Sequence, residues 1–218
     1  MEESEWLATT NPTAMLEDVC LTSERKLRLF CVACCRRVWE HLPGHGSRRA
    51  VRVAERYADG SADAAELDAA READEPHASP GHGPVRVAYH AAKPSPDAAS
   101  CVLHASLLRA DSASPPGSAS DAGWDEADAA ESAAQAALLR DVFGNPFRPV
   151  TFEAAWRTPA AVALASQMYE SRDFSAMPIL ADALQEAGCE DEQILQHCRG
   201  GGLHVRGCWV VDLVLGKD

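Results

Sequence analysis

Alanine is the feature that most constrains the fold, because it accounts for 40 of the 218 residues. Alanine has the highest helix propensity of all residues and is depleted in strands. Its small side chain also lets neighbouring helices approach closely. Hydrophobic residues make up 46% of the chain, which is enough for a core and argues against wholesale disorder. The sequence therefore predicts an all-α protein, an irregular multi-helix bundle with scope for two packed helical subdomains.

Hydrophobic spacing places the individual helices. In the clearest example, Leu27, Phe30, Cys31, Cys34 and Val38 recur at the intervals expected for one face of a helix. The predicted helices cover residues 22–42, 47–58, 61–73, 85–92, 95–110, 121–142, 159–171, 175–187 and 191–199. Residues 205–215 are apolar almost all round and fit either a buried helix or a buried strand. We prefer a helix there because the rest of the chain is helical.

Two stretches have the composition of linkers. Residues 74–84 and 111–120 are rich in proline, glycine and small polar residues, which bury too little surface to offset the entropy of ordering. The second stretch is the better boundary. The sequence thus predicts an N-terminal helical part at 1–110 that carries a basic, cysteine-rich helix, a linker at 111–120, and a C-terminal helical part at 121–218.

Charge is distributed unevenly along the chain. The net charge of -13 argues against a general affinity for nucleic acid or for anionic membranes. Residues 21–57 nevertheless hold nine lysines and arginines against three glutamates. Two rows of arginines on successive helices could bind phosphate, so nucleic-acid binding is one alternative function. The competing interpretation is a solvated face, or a face docked against acidic helices. The six arginines of the two rows are Arg25, Arg28, Arg36, Arg49, Arg52 and Arg56.

The expected location follows from two absences. No apolar run approaches the roughly 20 residues that span a bilayer, and the acidic start of the chain is unlike a signal peptide. We therefore expect a cytoplasmic protein with no membrane partner. Its eight cysteines are then expected to be reduced thiols or metal ligands rather than disulfides.

Cysteine and histidine cluster near the C-terminus, where five of them lie within 20 residues. Thiolate and neutral imidazole are natural zinc ligands, and four of them form a closed structural site. One alternative is therefore a zinc-stabilised domain, and zinc is the one cofactor that the sequence suggests. Its ligands would be Cys189, His197, His204 and Cys208. The competing interpretation is core packing, since this segment has no Cys-x2-Cys pair and Cys198 shares an apolar stripe with Ile194.

A Cys-x2-Cys pair does occur at Cys31 and Cys34. A redox pair of this kind needs a helix start that follows a strand, whereas this pair lies in the middle of a helix. Both cysteines fall on the apolar stripe, where small side chains allow a second helix to approach. Core packing is therefore the preferred interpretation.

Asp212 is a carboxylate within an apolar run. On a helix through 205–215 it would share one face with His204 and Cys208. A buried carboxylate must be paired, hydrogen-bonded or protonated. We therefore expect Asp212 and Arg206 to be structural buried charges, with Asp212 in a satisfied ion pair. The candidate partners that lie nearby in sequence are Arg199, Arg206, His204 and the indole N–H of Trp209.

Signatures of catalysis are missing from the sequence. It contains no His-Glu-x-x-His, no Gly-x-Ser-x-Gly and no phosphate-binding loop that ends in Gly-Lys-Ser/Thr. No catalytic residue is assigned, and the balance favours a protein that is not an enzyme.

Several segments at both ends carry a family resemblance. Residues 25–39 (RKLRLFCVACCRRVW), 143–149 (FGNPFRP), 177–189 (MPILADALQEAGC) and 204–212 (HVRGCWVVD) are the most specific. They resemble a paralogous family of uncharacterised helical proteins that is abundant in planctomycete-type bacteria. The resemblance brings no activity with it. A large set of paralogues is typical of accessory proteins, so the favoured function is a non-enzymatic module that binds another protein through helix faces.

Overall fold

The computed structural model describes residues 1–19, 23–42, 44–74, 86–113 and 121–217. Every regular element in these ranges is a helix and none is a strand, which confirms the predicted all-α class. Short 3-10 turns cover Trp39–His41 and Ala154–Trp156. The α-helices are α1 Glu3–Ala8, α2 Pro12–Val19, α3 Glu24–Arg37, α4 Gly44–Ala58, α5 Ala64–Asp74, α6 Val87–Ala91, α7 Ala98–Ala113, α8 Asp121–Phe143, α9 Pro159–Ser171, α10 Met177–Glu186, α11 Glu192–Arg199 and α12 Trp209–Leu215.

Side-chain caps set where several of these helices begin. The hydroxyl of Ser23 accepts the Lys26 N–H at the start of α3, and the hydroxyl of Thr158 does the same for Ala161 in α9. These hydrogen bonds satisfy N–H groups that have no partner within the helix. The helix predicted at 61–73 is α5, and it begins later than predicted, at Ala64, because the carboxylate of Asp63 accepts the N–H of Glu66 at 2.8 Å.

The chain divides into two compact units, Met1–Leu139 and Arg140–Asp218. In the first unit, α3 is the central helix and packs against α4, α6 and α7. Nine consecutive residues of α3, numbers 27–35, are buried. A helix buried on every face is expected to be apolar all round, and Arg28 is the one charged residue in this run. The alanine and the three cysteines of the run let the neighbouring helices approach closely.

The second unit contains the end of α8 and helices α9 to α12. Its buried core includes Met168, Tyr169, Leu184 and Ile194, and α12 packs against α9. The guanidinium of Arg157 donates hydrogen bonds to the last carbonyl groups of α12, at 2.8 Å and 3.0 Å. These bonds satisfy acceptors that a helix terminus leaves free, so they hold the C-terminal end of α12.

The predicted helix over 205–215 is only partly correct. The helix of this segment, α12, begins at Trp209, and Cys208 is its N-cap residue. Gly207 has a φ of 98°, which lies outside the helical region and ends any helical path through this segment. His204 and Cys208 therefore do not share a helix face. A turn in which the Cys208 N–H donates to the Val205 carbonyl at 2.9 Å brings them together instead.

The predicted linkers at 74–84 and 111–120 fall mostly outside the described residues, so the division into 1–110 and 121–218 stays a prediction. The division between the two compact units falls between residues 139 and 140, within α8. Within the part of the chain that the structure describes, no helix combines the length and the apolar character needed to cross a membrane.

Candidate metal centre

Four side chains with metal-binding atoms converge in the second unit. They are Asp141, His197, His204 and Cys208, and their ligand atoms all lie within 4.8 Å of one another. Asp141 and Cys208 are buried, and the two histidine side chains expose only 18% and 7% of their surface. A polar cluster this well shielded must satisfy its charges internally or through a bound ion.

Different elements supply the four side chains. Asp141 lies in the last turn of α8, His197 in the last turn of α11, and Cys208 caps α12, while His204 lies in the irregular segment between α11 and α12. The site therefore joins the last turn of α8 to α11 and α12 within the second unit.

Gly144 supports the position of Asp141. It follows α8 with a φ of 70°, and a Cβ atom added there would lie 3.2 Å from the ring of Trp209. Both the left-handed backbone and the close ring favour glycine. The same indole packs against the His197 ring, with the centroids 5.1 Å apart. The Trp209 ring therefore packs between Gly144, which follows the helix that carries Asp141, and the imidazole of His197.

The carboxylate of Asp141 is the centre of the hydrogen bonding. Its Oδ1 lies 2.7 Å from His204 Nδ1 and 3.3 Å from His197 Nε2, and its Oδ2 accepts the Val205 N–H at 2.9 Å. Burial by itself would raise the pKa of Asp141, but the hydrogen bonds from the two imidazoles outweigh it and lower the pKa. Asp141 is therefore an ionised, buried carboxylate.

Cys208 completes the cluster with a sulfur atom. Its Sγ lies 3.1 Å from His197 Nε2 and 3.9 Å from His204 Nδ1. Burial, together with the negative charge of Asp141, raises the pKa of the Cys208 thiol well above its usual value. Without a cation the sulfur is a neutral, unreactive thiol. A metal ion would be needed to hold it as a thiolate.

The arrangement differs from a catalytic Cys-His-Asp triad. In a triad the imidazole uses one nitrogen for the nucleophile and the other for the carboxylate. Here a single nitrogen of His197 faces both Asp141 and Cys208, and a single nitrogen of His204 does the same. Both nitrogens therefore point at one common position, as the ligands of an ion do.

The separations agree with tetrahedral coordination. Bonds of about 2.0–2.3 Å to one zinc ion place neighbouring ligand atoms about 3.3–3.6 Å apart. The four separations between an imidazole nitrogen and the oxygen or sulfur, 2.7, 3.3, 3.1 and 3.9 Å, lie within about 0.7 Å of that range, and all the ligand atoms lie within 4.8 Å of one another. Small side-chain adjustments would bring the four atoms to bonding distance.

Three of the four ligands expected from the sequence are in this group, and Cys189 is not. Cys189 is buried in the hydrophobic core of the second unit, and the position expected for it is taken by Asp141. The N–H of Cys189 donates to the Leu184 carbonyl at 3.0 Å, which folds the residue back onto α10 and into the core. Cys198 lies in the same core, as its apolar stripe predicts.

Asp141 was missed because it lies far from the Cys/His segment in sequence. A signal was present nonetheless. Leu138 is an apolar residue that is buried, and position 141, three residues later, lies on the same side of the helix. A carboxylate on such a face requires a partner. Helical spacing therefore indicated that Asp141 is buried, although it gave no indication of which side chains it meets.

The structure separates the two predicted arginine rows into different environments. Arg25 pairs with Asp59, Arg36 with Glu55, and Arg56 with Glu66. Arg28 is buried and donates hydrogen bonds to three carbonyl groups. Arg49 and Arg52 are exposed on α4. Three of the six arginines are therefore in ion pairs with carboxylates of the chain, and a fourth, Arg28, is hydrogen-bonded to its backbone.

The other residues singled out from the sequence lie outside the Asp141, His197, His204 and Cys208 cluster. Cys31 and Cys34 are fully buried in α3. Asp212 is buried in α12, with 1% of its surface exposed. Arg206 lies over the Tyr169 ring at 4.4 Å and has its guanidinium 3.8 Å from the Glu170 carboxylate. The ion pair expected for Asp212 stays a prediction.

The fold and this cluster define the chain as an all-helical protein with a buried group that could hold a metal ion. No family model, curated protein or solved structure matches it. The resemblance to the planctomycete-type family therefore stays a prediction.

Proposed function

We propose that the second unit, Arg140–Asp218, is a zinc-stabilised helical domain. The observation that carries this proposal is the convergence of one carboxylate oxygen, two imidazole nitrogens and one sulfur within 4.8 Å. The domain is small, and domains of this size often rely on a metal ion to supplement a limited hydrophobic core. The ion would join α8, α11 and α12 at a single point.

The donor set favours zinc over other common cations. Magnesium and calcium prefer oxygen ligands, whereas imidazole and thiolate suit zinc. Four protein ligands fill a tetrahedral shell and leave no position for a substrate, which is characteristic of a structural site. A structural ion also agrees with a non-enzymatic module that binds another protein, the function expected from the sequence.

Zinc would change the chemistry of the cluster in a defined way. Binding releases the Cys208 thiol proton, and the ion compensates the negative charges of the thiolate and of Asp141. The cluster is then neutral overall, because two anionic ligands balance a divalent cation.

Metal content and metal-dependent stability test the proposal. We expect the purified full-length protein to contain about one zinc per chain, measured by mass spectrometry of the metal. Chelation should lower the stability of the second unit by about 4 kcal/mol if free zinc stood at about a thousand times its Kd. Cobalt(II) substitution should give the absorption bands of a tetrahedral site with thiolate ligation.

Two cysteine variants form a matched pair. Cys208→Ala should abolish stoichiometric zinc binding, whereas Cys189→Ala removes an equally buried thiol and should retain the metal. A folded wild-type protein that gains neither zinc nor stability when zinc is added would refute the proposal. Loss of zinc in Cys189→Ala alone would instead favour the ligand set expected from the sequence.

A further inference from the structure

A separate feature of the first unit is a group of arginines around Trp39. The guanidinium carbons of Arg36, Arg48 and Arg52 lie over this indole ring, at 5.4, 5.7 and 5.3 Å from its centroid. Arg36 comes from α3, and the other two come from α4. Contact with an indole stabilises a cation and holds its planar group in place. We call Trp39, Arg48 and Arg52 the arginine–indole surface.

The charges of this surface are not balanced within the described part of the chain. Glu55 neutralises Arg36 through two hydrogen bonds, at 2.7 and 3.2 Å. Among the described residues, no carboxylate pairs with Arg48 or Arg52, and Arg48 Nε is buried without a hydrogen-bond partner. Other arginines of the same unit, such as Arg37 with Glu131, do have carboxylate partners.

The arrangement is unfavourable for the helix that carries it. Arg48 and Arg52 are four residues apart on α4, where like charges repel across one turn. The first turn of α4 contains no acidic residue, so the positive end of the helix dipole is not balanced there either. Arg49 adds a further exposed positive charge. Local arrangements that oppose stability are expected where a chain binds something else.

The geometry indicates which anion would fit. Guanidinium groups bind phosphate through two parallel hydrogen bonds. The distances to the ring place the Arg48 and Arg52 guanidiniums no more than about 11 Å apart, which suits adjacent phosphates. Because guanidiniums lie over the indole, the ring is not open for a base to stack on. The net charge of -13 would repel a long polyanion that extends beyond the surface.

We propose that the arginine–indole surface binds a compact ligand that carries two or three linked phosphates. The phosphates bridge Arg48 and Arg52, and the indole holds the two guanidiniums in position. This proposal is independent of the zinc site, which lies in the other unit.

Binding of inorganic pyrophosphate to the full-length protein tests this proposal, with calorimetry and intrinsic tryptophan fluorescence, to which Trp39 contributes, as readouts. We expect binding at low salt that weakens as salt rises. Arg48→Gln combined with Arg52→Gln should weaken it at least about tenfold, since each charge-assisted bond contributes more than one factor of ten. Arg109→Gln removes an exposed charge from α7 and should change the affinity less than about twofold. The single variant Arg52→Gln, at an exposed position, should give a smaller loss in the same direction.

Three outcomes would overturn the proposal. The first is the absence of pyrophosphate binding by the wild-type chain at low salt. The second is an equal loss in Arg109→Gln, which would show that net charge alone governs affinity. The third is tighter binding of a single-stranded oligonucleotide than of pyrophosphate, which would identify nucleic acid as the partner instead.

Discussion

Each unit contains a buried charged side chain, Arg28 in the first and Asp141 in the second, and the two charges are satisfied differently. In the first unit, Arg28 donates hydrogen bonds to the carbonyl groups of Ala91, Lys93 and Pro94 at 3.0, 2.7 and 2.6 Å. In the second, Asp141 is surrounded by two imidazoles, a backbone N–H and a thiol. Arg28 meets neutral backbone acceptors, whereas Asp141 meets side chains that can exchange their protons for a metal ion.

This difference separates a structural charge from a candidate ligand site. The partners of Arg28 are backbone groups that no change of pH or metal content can alter. Burial lowers the pKa of Arg28, yet arginine stays protonated because its usual pKa is above 12. The partners of Asp141 include imidazole and thiol groups that can bind a metal ion. Buried charge alone therefore does not identify a functional site, and the chemistry of the surrounding groups does.

Among substitutions that test this comparison, the largest expected effect comes from replacing Arg28. Arg28→Ala removes the donor from the buried carbonyl of Ala91 and from the part-buried carbonyls of Lys93 and Pro94, and we expect a loss of about 3 kcal/mol in the free energy of unfolding. Arg109→Ala, at an exposed position on α7, is the control and should change stability by less than about 0.5 kcal/mol. Urea denaturation measures both. A loss under about 1 kcal/mol for Arg28→Ala would show that water reaches these carbonyls.

The next effect is a difference in acid sensitivity between the units. Burial lowers the pKa of His90 to about 4, and the charges of Lys93 and His104 act in the same direction, against that of Asp97. The folded-state pKa lies below the unfolded value of about 6.5. Stability of the first unit is therefore complete above about pH 6.5 and falls as the pH drops towards 4. We expect a loss of about 2 kcal/mol after allowance for solvent screening.

The second unit should respond at lower pH. The pKa of Asp141 is lowered in the folded chain, so its ionised form stabilises the fold above the unfolded value of about 4. That contribution is lost only as the pH falls through the lower, folded-state pKa. Hydrogen exchange of the metal-free protein at pH 7, 5 and 3 measures each unit separately. His90→Gln should remove the change between pH 7 and 5 in α6 and α7. Equal weakening of both units at pH 5 would contradict this prediction.

The smallest predicted effect concerns the glycine next to the site. Gly144→Ala places a Cβ in the left-handed region and 3.2 Å from the Trp209 ring, so we expect a cost of about 1–2 kcal/mol. Zinc affinity should fall as well, because the Trp209 ring also packs on His197. Gly202→Ala is the control, since its Cβ meets nothing within 4 Å and its backbone needs no special conformation. Equal effects in both variants would remove any special role for Gly144.

The sequence predicted much of the fold because helix formation is governed by nearby residues. Alanine content and apolar spacing predicted α3, α4, α8, α9, α10 and α11 close to their observed positions. The segment around Gly207 was predicted less well. Residues on either side favour helix, but the turn at 205–208 is held by contacts with distant parts of the unit, including the hydrogen bond from Val205 N–H to Asp141.

By itself, the sequence determined the all-helical class, the burial of the α3 cysteines and the presence of ligand-type residues His197, His204 and Cys208. The tertiary structure decided which of these side chains share a point in space. Asp141 lies more than fifty residues before His197, and only the folding of the second unit places the last turn of α8 beside the C-terminal segment and brings their atoms to 3.3 Å. Local spacing in the sequence encodes which residues share a helix face, because an α-helix completes one turn every 3.6 residues. It cannot encode which distant face a helix will meet, because that depends on how the whole core packs.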